Sequence, residues 1–180
     1  MAAAEASPST SSDKEIYFVL DDQREIKVHN SLQHLSGFLK DFLKSLGEEQ
    51  EGNSIKIPTK DVGYDEVELL NKFVAFLEQH HKDQVRNEQD RKDFWMEFIP
   101  SNREELRPLA KDVDKDLLIT AANAGDFLIV PAFISFCTYF LCERAQNLKL
   151  KELREFLNEE ADFDEEQLRI IRECPEFDNL

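Results

Sequence analysis

"DVDKDLLITAANAGDFLIVPAFISFCTYFLC", residues 112–142, holds the longest apolar run of the chain and decides how the rest must be arranged. Asp114 stands where a side-chain oxygen can cap a helix, and Leu117 and Leu118 follow at once. Ala121 and Ala122 beside those leucines are small enough to let a neighbouring helix come close. From Phe127 to Cys142 the sequence is almost continuously apolar, broken by Pro131, a residue that sits best at the start of a helix. The spacing therefore predicts two consecutive helices, the second buried nearly all round.

Working towards the N-terminus, "FWMEFI" (94–99) is a compact apolar knot expected to dock on those helices. Before it, residues 82–93 ("KDQVRNEQDRKD") have almost nothing to bury and read as a mobile linker. Val67, Leu70, Val74 and Leu77 recur at helical spacing, and so do Leu32, Leu35, Leu39, Phe42 and Leu46. We read the second set as one helix, started by Asn30 or Ser31 and ended by Gly47, with Leu32, Leu35, Phe42, Val67 and Leu70 as core. "IYFVL" and "EIKVH", joined by "DDQR", read as a hairpin of residues 16–20 with 25–29, and "SIKIP" as a short edge strand. The class is α/β in the α+β sense, a small mixed sheet with helices. No internal repeat is present.

Towards the C-terminus the chain becomes acidic while keeping apolar stripes. Leu153, Phe156 and Leu157 share one side of a short helix; Asp164 and Gln167 begin a second, with Leu168, Ile171 and Cys174 as its stripe before Pro175. Helices this short are marginal in water, so the body or a partner must cover them.

The chain has 180 residues, 41% of them hydrophobic, with a formal charge of −16. That length suits one domain with appendages, expected as a disordered leader (1–14), a domain (15–146) and a C-terminal helical extension (147–180). The negative charge repels phosphate backbones, so nucleic acid is not an expected partner. No stretch has the ~20 apolar residues of a membrane helix, and no secretory pattern opens the sequence. We expect a soluble, intracellular protein. Cys137, Cys142 and Cys174 lack metal-type spacing and read as reduced thiols.

Catalytic patterns are wanting. His80 and His81 are neighbours pointing about 100° apart on a helix, outside any H-E-x-x-H frame. Asp162, Asp164, Glu166 and Glu173 fall at calcium-loop places one, three, five and twelve, but Gln167 occupies the place that wants glycine. No phosphate-binding or nucleophile-elbow motif occurs, and Cys137 and Cys142 stand among apolar residues. Neither metal, cofactor nor enzymatic activity is expected.

The order of these pieces resembles the S-phase kinase-associated (Skp) adaptor family, the linker subunit of SCF-type cullin–RING ubiquitin ligases. "HHKDQ" (80–84) is similar to the family's His-His-Lys-Asp-Asp, "WMEFI" (95–99) to its Trp-Asp-x-x-Phe knot, and "LLITAANAGD" (117–126) to its Leu-Ile-x-Ala-Ala-Asn-x-x-Asp helix. The tail "KELREFLNEEADFDEEQLRIIRECPEF" (151–177) aligns without gaps, with Leu153, Arg154, Leu157, Asn158, Asp162, Phe163, Glu165 and Glu166 in matching places. The resemblance covers about Glu15 to Phe177. It implies a BTB/POZ-like domain and a non-catalytic adaptor of the cytoplasm and nucleus that joins F-box proteins to a cullin N-terminal domain.

The F-box-binding residues it implies are Phe133, Cys137, Leu153, Leu157, Phe163, Ile171 and Phe177; Asn123 and Ala124 are the cullin-binding pair. Four departures stand out. Residues 100–108 look inserted, two residues look added between Phe127 and Pro131, Ala124 replaces the family's tyrosine, and Phe177 its tryptophan. Two alternatives follow: a self-associating BTB-like module using Phe18, Val19 and the hairpin edge, so that a homodimer forms, or an F-box chaperone that no longer engages cullin.

Overall fold

Alternation sets the first layer. In Glu15–Val19 (β1), Ile16 and Phe18 point into the core while Tyr17 faces outward. A turn with Gln23 in the left-handed region (φ 66°) leads to Glu25–Lys27 (β2), which pairs antiparallel with β1 in the register Tyr17↔Lys27, Phe18↔Ile26. Ser54–Pro58 (β3) buries Ile55 and Ile57 and pairs parallel with β1, Ile16 opposite Ile55 and Phe18 opposite Ile57. The strand order is β2-β1-β3, so β3 is an edge, as its closing proline suggests. On the outward face Lys27 pairs with Glu15 and Lys56 with Glu25. The computed structural model describes residues 14–46, 53–86, 92–157 and 169.

A parallel pair needs a crossover, here supplied by two helices where the spacing predicted one. Leu32–Leu35 (α1) stops at Ser36, whose backbone is extended (φ −94°, ψ 118°), and Gly37–Leu46 (α2) restarts. The cause lies far away in sequence. Ser36 Oγ donates to Leu128 O (2.6 Å) and accepts from Leu39 N–H (3.0 Å), while Gly37 N–H donates to Ile129 O (2.9 Å). The first amides of α2 are thus satisfied by a distant turn and by their own capping serine, which a continuous helix would forbid. Gly47 lies outside the described residues.

Tyr64–His80 (α3) buries Val67, Leu70, Phe73, Val74 and Leu77, as its period demands. Asn71 ties it to the end of β2: its Oδ1 accepts from His29 N–H and its Nδ2 donates to Lys27 O, both at 2.8 Å. The segment expected to be a linker is helical at both ends. Lys82–Arg86 (α4) buries Val85, and Lys92–Ser101 (α5) carries the aromatic knot. One buried valine among eleven polar neighbours leaves no periodicity to detect. Residues 100–108, which look inserted in the sequence, are helical except at Asn102. Arg103–Ala110 (α6) buries Leu106 and Ala110.

Lys115–Phe127 (α7) begins on Asp114, whose Oδ1 accepts from Leu117 N–H at 2.7 Å. Leu118, Ala121, Ala124 and Gly125 form its buried side. Pro131–Ala145 (α8) starts at its proline and packs closely on α7; a Cβ on Gly125 would sit 3.2 Å from Phe133 Cδ1 and Ile134 Cγ1. Phe73, Phe133, Phe136 and Phe140 form one aromatic cluster, with ring centroids 4.9 Å apart for Phe73–Phe136 and 5.2 Å for Phe136–Phe140. Each such ring contributes about 1.5–3 kcal/mol by burial and ~0.5–1.5 more through its aromatic neighbours. α8 is not buried all round, because Thr138 and Cys142 are exposed. Leu150–Leu157 (α9) is the last element described apart from Arg169, itself helical. Among the described residues the architecture is mixed α/β, mostly helical, with one small sheet.

Candidate partner-binding surfaces

Two apolar surfaces remain uncovered among the described residues. The first lies where α2 meets the turn between α7 and α8. Phe38 lies against Phe42 (6.1 Å between centroids) and Phe127 (5.4 Å). Phe127 is 43% exposed and Ile129 49%. Ile129 is also left-handed (φ 51°), a costly conformation for a β-branched residue. Gly37 makes room for it, since a Cβ there would come within 2.8 Å of Ile129 Cγ2. Packing rules would put these side chains inside; here the backbone is strained and they face solvent, a combination that points to an external contact.

The second lies between α5 and α8, and α9 carries a half-covered stripe besides. Trp95, Met96, Pro100, Tyr139 and Cys142 line a shallow groove of about 200 Å³ between α5 and α8. Trp95 and Ile99 are buried at its floor, while Met96 is 60% exposed at its rim. On α9, Leu153 and Phe156 are half-buried and Glu152 and Glu155 exposed. The helix starts with half of a capping box, Lys149 N–H donating to Glu152 Oε2 at 3.0 Å.

The structure divides the residues singled out by sequence. Phe133 and Cys137 are wholly inside the core, so the described surface offers neither to a partner. Burial also pushes the Cys137 thiol far above its ordinary value, leaving it an inert small hydrophobe. Leu153 and Leu157 lie on α9; Phe163, Ile171 and Phe177 lie outside the described residues. Asn123 is exposed one helical turn before Phe127, on the first surface. Ala124 is buried, which corrects its place as a surface position shorn of a ring; it serves the close packing of α7. Phe18 is fully buried and gives the hairpin edge nothing to associate through, and Phe42, expected in the core, is half-buried on the first surface.

Phe127 and Ile129 were legible in principle: in Phe127–Val130 the exposed and buried residues alternate, a pattern a continuous apolar run conceals. His80 is exposed. His81 is mostly buried, its Nε2 3.4 Å from Glu105 Oε2 and its ring edge-on to Phe98. Among the described residues no three His, Cys, Asp or Glu side chains come together as metal ligands would, and the calcium-like spacing at Asp162–Glu173 lies outside them. No described helix is long and apolar enough to cross a membrane. No protein-family model matches the chain, and no curated protein matches it.

Proposed function

We propose that the chain is a non-catalytic adaptor of the cytoplasm and nucleus, with a BTB/POZ-like body over 15–146 and a C-terminal extension, joining an F-box protein to a cullin N-terminal domain in an SCF-type ligase. The observation that carries this reading is the spacing of the two open surfaces along α8. The Phe127–Ile129 platform precedes its first residue, the groove is lined by Ser135, Thr138, Tyr139 and Cys142 along its middle and later turns, and α9 follows it in the chain. A helix of that length is a rigid strut of about 22 Å. Two apolar contacts on one stiff rod suit a protein that holds two others at a fixed separation. The resemblance to the Skp family supplies the partners: α9 and the tail for the F-box, and the Asn123 side of α7 for the cullin.

Within this assignment Phe38, Phe42, Phe127 and Ile129 are the cullin-facing contacts, and Ala124 acts beneath them by fixing α7. The chaperone alternative is weakened, because Ala124 is buried and contributes to the packing of α7. The self-associating alternative retains Val19 but not Phe18.

The test is direct binding of the full chain to an F-box segment and, separately, to a cullin N-terminal domain. Phe127→Ser combined with Ile129→Ser is expected to weaken the cullin domain about 30-fold or more, as loss of central contacts does, and to leave the F-box segment unaffected. Failure of the unaltered chain to bind either partner sinks the assignment. Light scattering that finds a stable dimer in place of those complexes transfers the case to self-association.

A further inference from the structure

We infer that Lys115 is the positioning residue that latches α9 onto the body, and that its positive charge sets how well the C-terminal extension is presented to a partner. Lys115 is the first residue of α7, yet its Nζ donates to Phe156 O (2.6 Å) and Glu155 O (3.5 Å) and lies 5.6 Å from the centre of the Phe156 ring. The contact spans 41 residues of sequence.

Lys115 is locally misplaced. A cation in the first turn of a helix opposes that helix's own dipole. The near carboxylate, Asp116 Oδ1, is 3.8 Å away, and Asp114 is committed to its capping bond with Leu117 N–H. At the last described turn of α9 the same charge is favourable, because a cation near carbonyl oxygens at the C-terminal side of a helix faces the negative end of its dipole. The shortest of these contacts of its Nζ, at 2.6 Å, is the one to α9. An eight-residue helix is unstable alone, so a charged clamp on its closing carbonyls strongly affects how often it is docked.

Only the last readout below rests on the adaptor reading. Amide hydrogen exchange of residues 150–157 in the full chain is compared for the unaltered protein, Lys115→Met, which keeps most of the stem, and Lys115→Arg, which keeps charge and donors. We expect the methionine variant to exchange about five- to tenfold faster there; a hydrogen bond to a charged group is discounted for a side chain one-quarter exposed. Exchange in α3 and α7 stays unchanged, and arginine restores protection to within about twofold. Unchanged exchange at 150–157 in the methionine variant, or an equal rise in the arginine variant, overturns the latch. A synthetic F-box segment should bind the methionine variant more weakly by a factor no larger than the exchange ratio, because the docked form is the prepared one. If the unaltered chain ignores that segment, the adaptor reading fails while the exchange result still decides the latch.

Discussion

Helices α8 and α9 follow one another in the chain and are stabilised in opposite ways. α8 buries Phe133, Phe136, Cys137 and Phe140 against residues of the same domain and leaves only its Thr138 and Cys142 side open. α9 leaves Leu153 and Phe156 half-covered, and among its described ties to the body are the bonds from Lys115 to two of its carbonyls. A helix made for support sinks its stripe in its own core. A helix made for contact keeps its stripe near the surface and borrows stability from polar ties that are easily released.

The contrast can be broken at α8 first. Phe136→Ala removes a ring touching Phe73, Phe133 and Phe140 and should cost about 3–5 kcal/mol in denaturant unfolding. A loss below about 1 kcal/mol would mean α8 is no strut. Ala124→Tyr overpacks the buried side of α7 and should cost about 1–3 kcal/mol, read from the same midpoint shift. Unaltered stability would show that a ring there escapes to the surface.

Glu152→Ala removes the acceptor for Lys149 N–H. Residues 150–157 should lose about 0.5–1 kcal/mol of local protection in hydrogen exchange while the global unfolding midpoint stays put. A shift of the global midpoint would make α9 as integral as α8. Ile129→Gly exchanges relief of left-handed strain for lost packing and added chain freedom, and stability should stay within about 0.5 kcal/mol of the original. Binding of the cullin domain should nonetheless fall, separating contact from support within a single residue.

The smallest effect concerns the outer face of the sheet. The Lys27 hydrogen bond, helped by Tyr17, holds the Glu15 carboxyl below its usual range. A carboxyl so lowered stabilises the fold above its unfolded value, and the contribution fades as pH falls through the folded one. Glu15→Gln should slightly lower stability at neutral pH and leave it unchanged at acid pH, flattening the acid limb; the effect is small because the pair is about half exposed and screened by solvent.

What the sequence made legible was what neighbours in sequence determine. The α3 stripe, the Asp114 cap and the Pro131 start each depend on residues within a turn or two, and each stands where the pattern puts it. The break at Ser36 was hidden because its partners are the carbonyls of Leu128 and Ile129, about ninety positions away. Helix α4 was hidden because one buried valine makes no period. Ala121, Ala124, Gly125 and Leu128 do follow Leu118 at spacings of three or four, which would have placed Ala124 inside; a resemblance had already claimed that position for the surface. Of the candidate surfaces the α9 stripe was readable, but the platform was not, because it joins α2 to a turn from the other half of the chain.

The central place of β1 has a consequence for synthesis. The strand that leaves the ribosome before its two neighbours is the one both must flank, and its parallel mate β3 arrives some forty residues later. Until then Ile16 and Phe18 are uncovered in the nascent chain. A hairpin of β1 with the three-residue β2 shields only one edge, so vectorial emergence leaves a sticky interval that a holding chaperone would shorten.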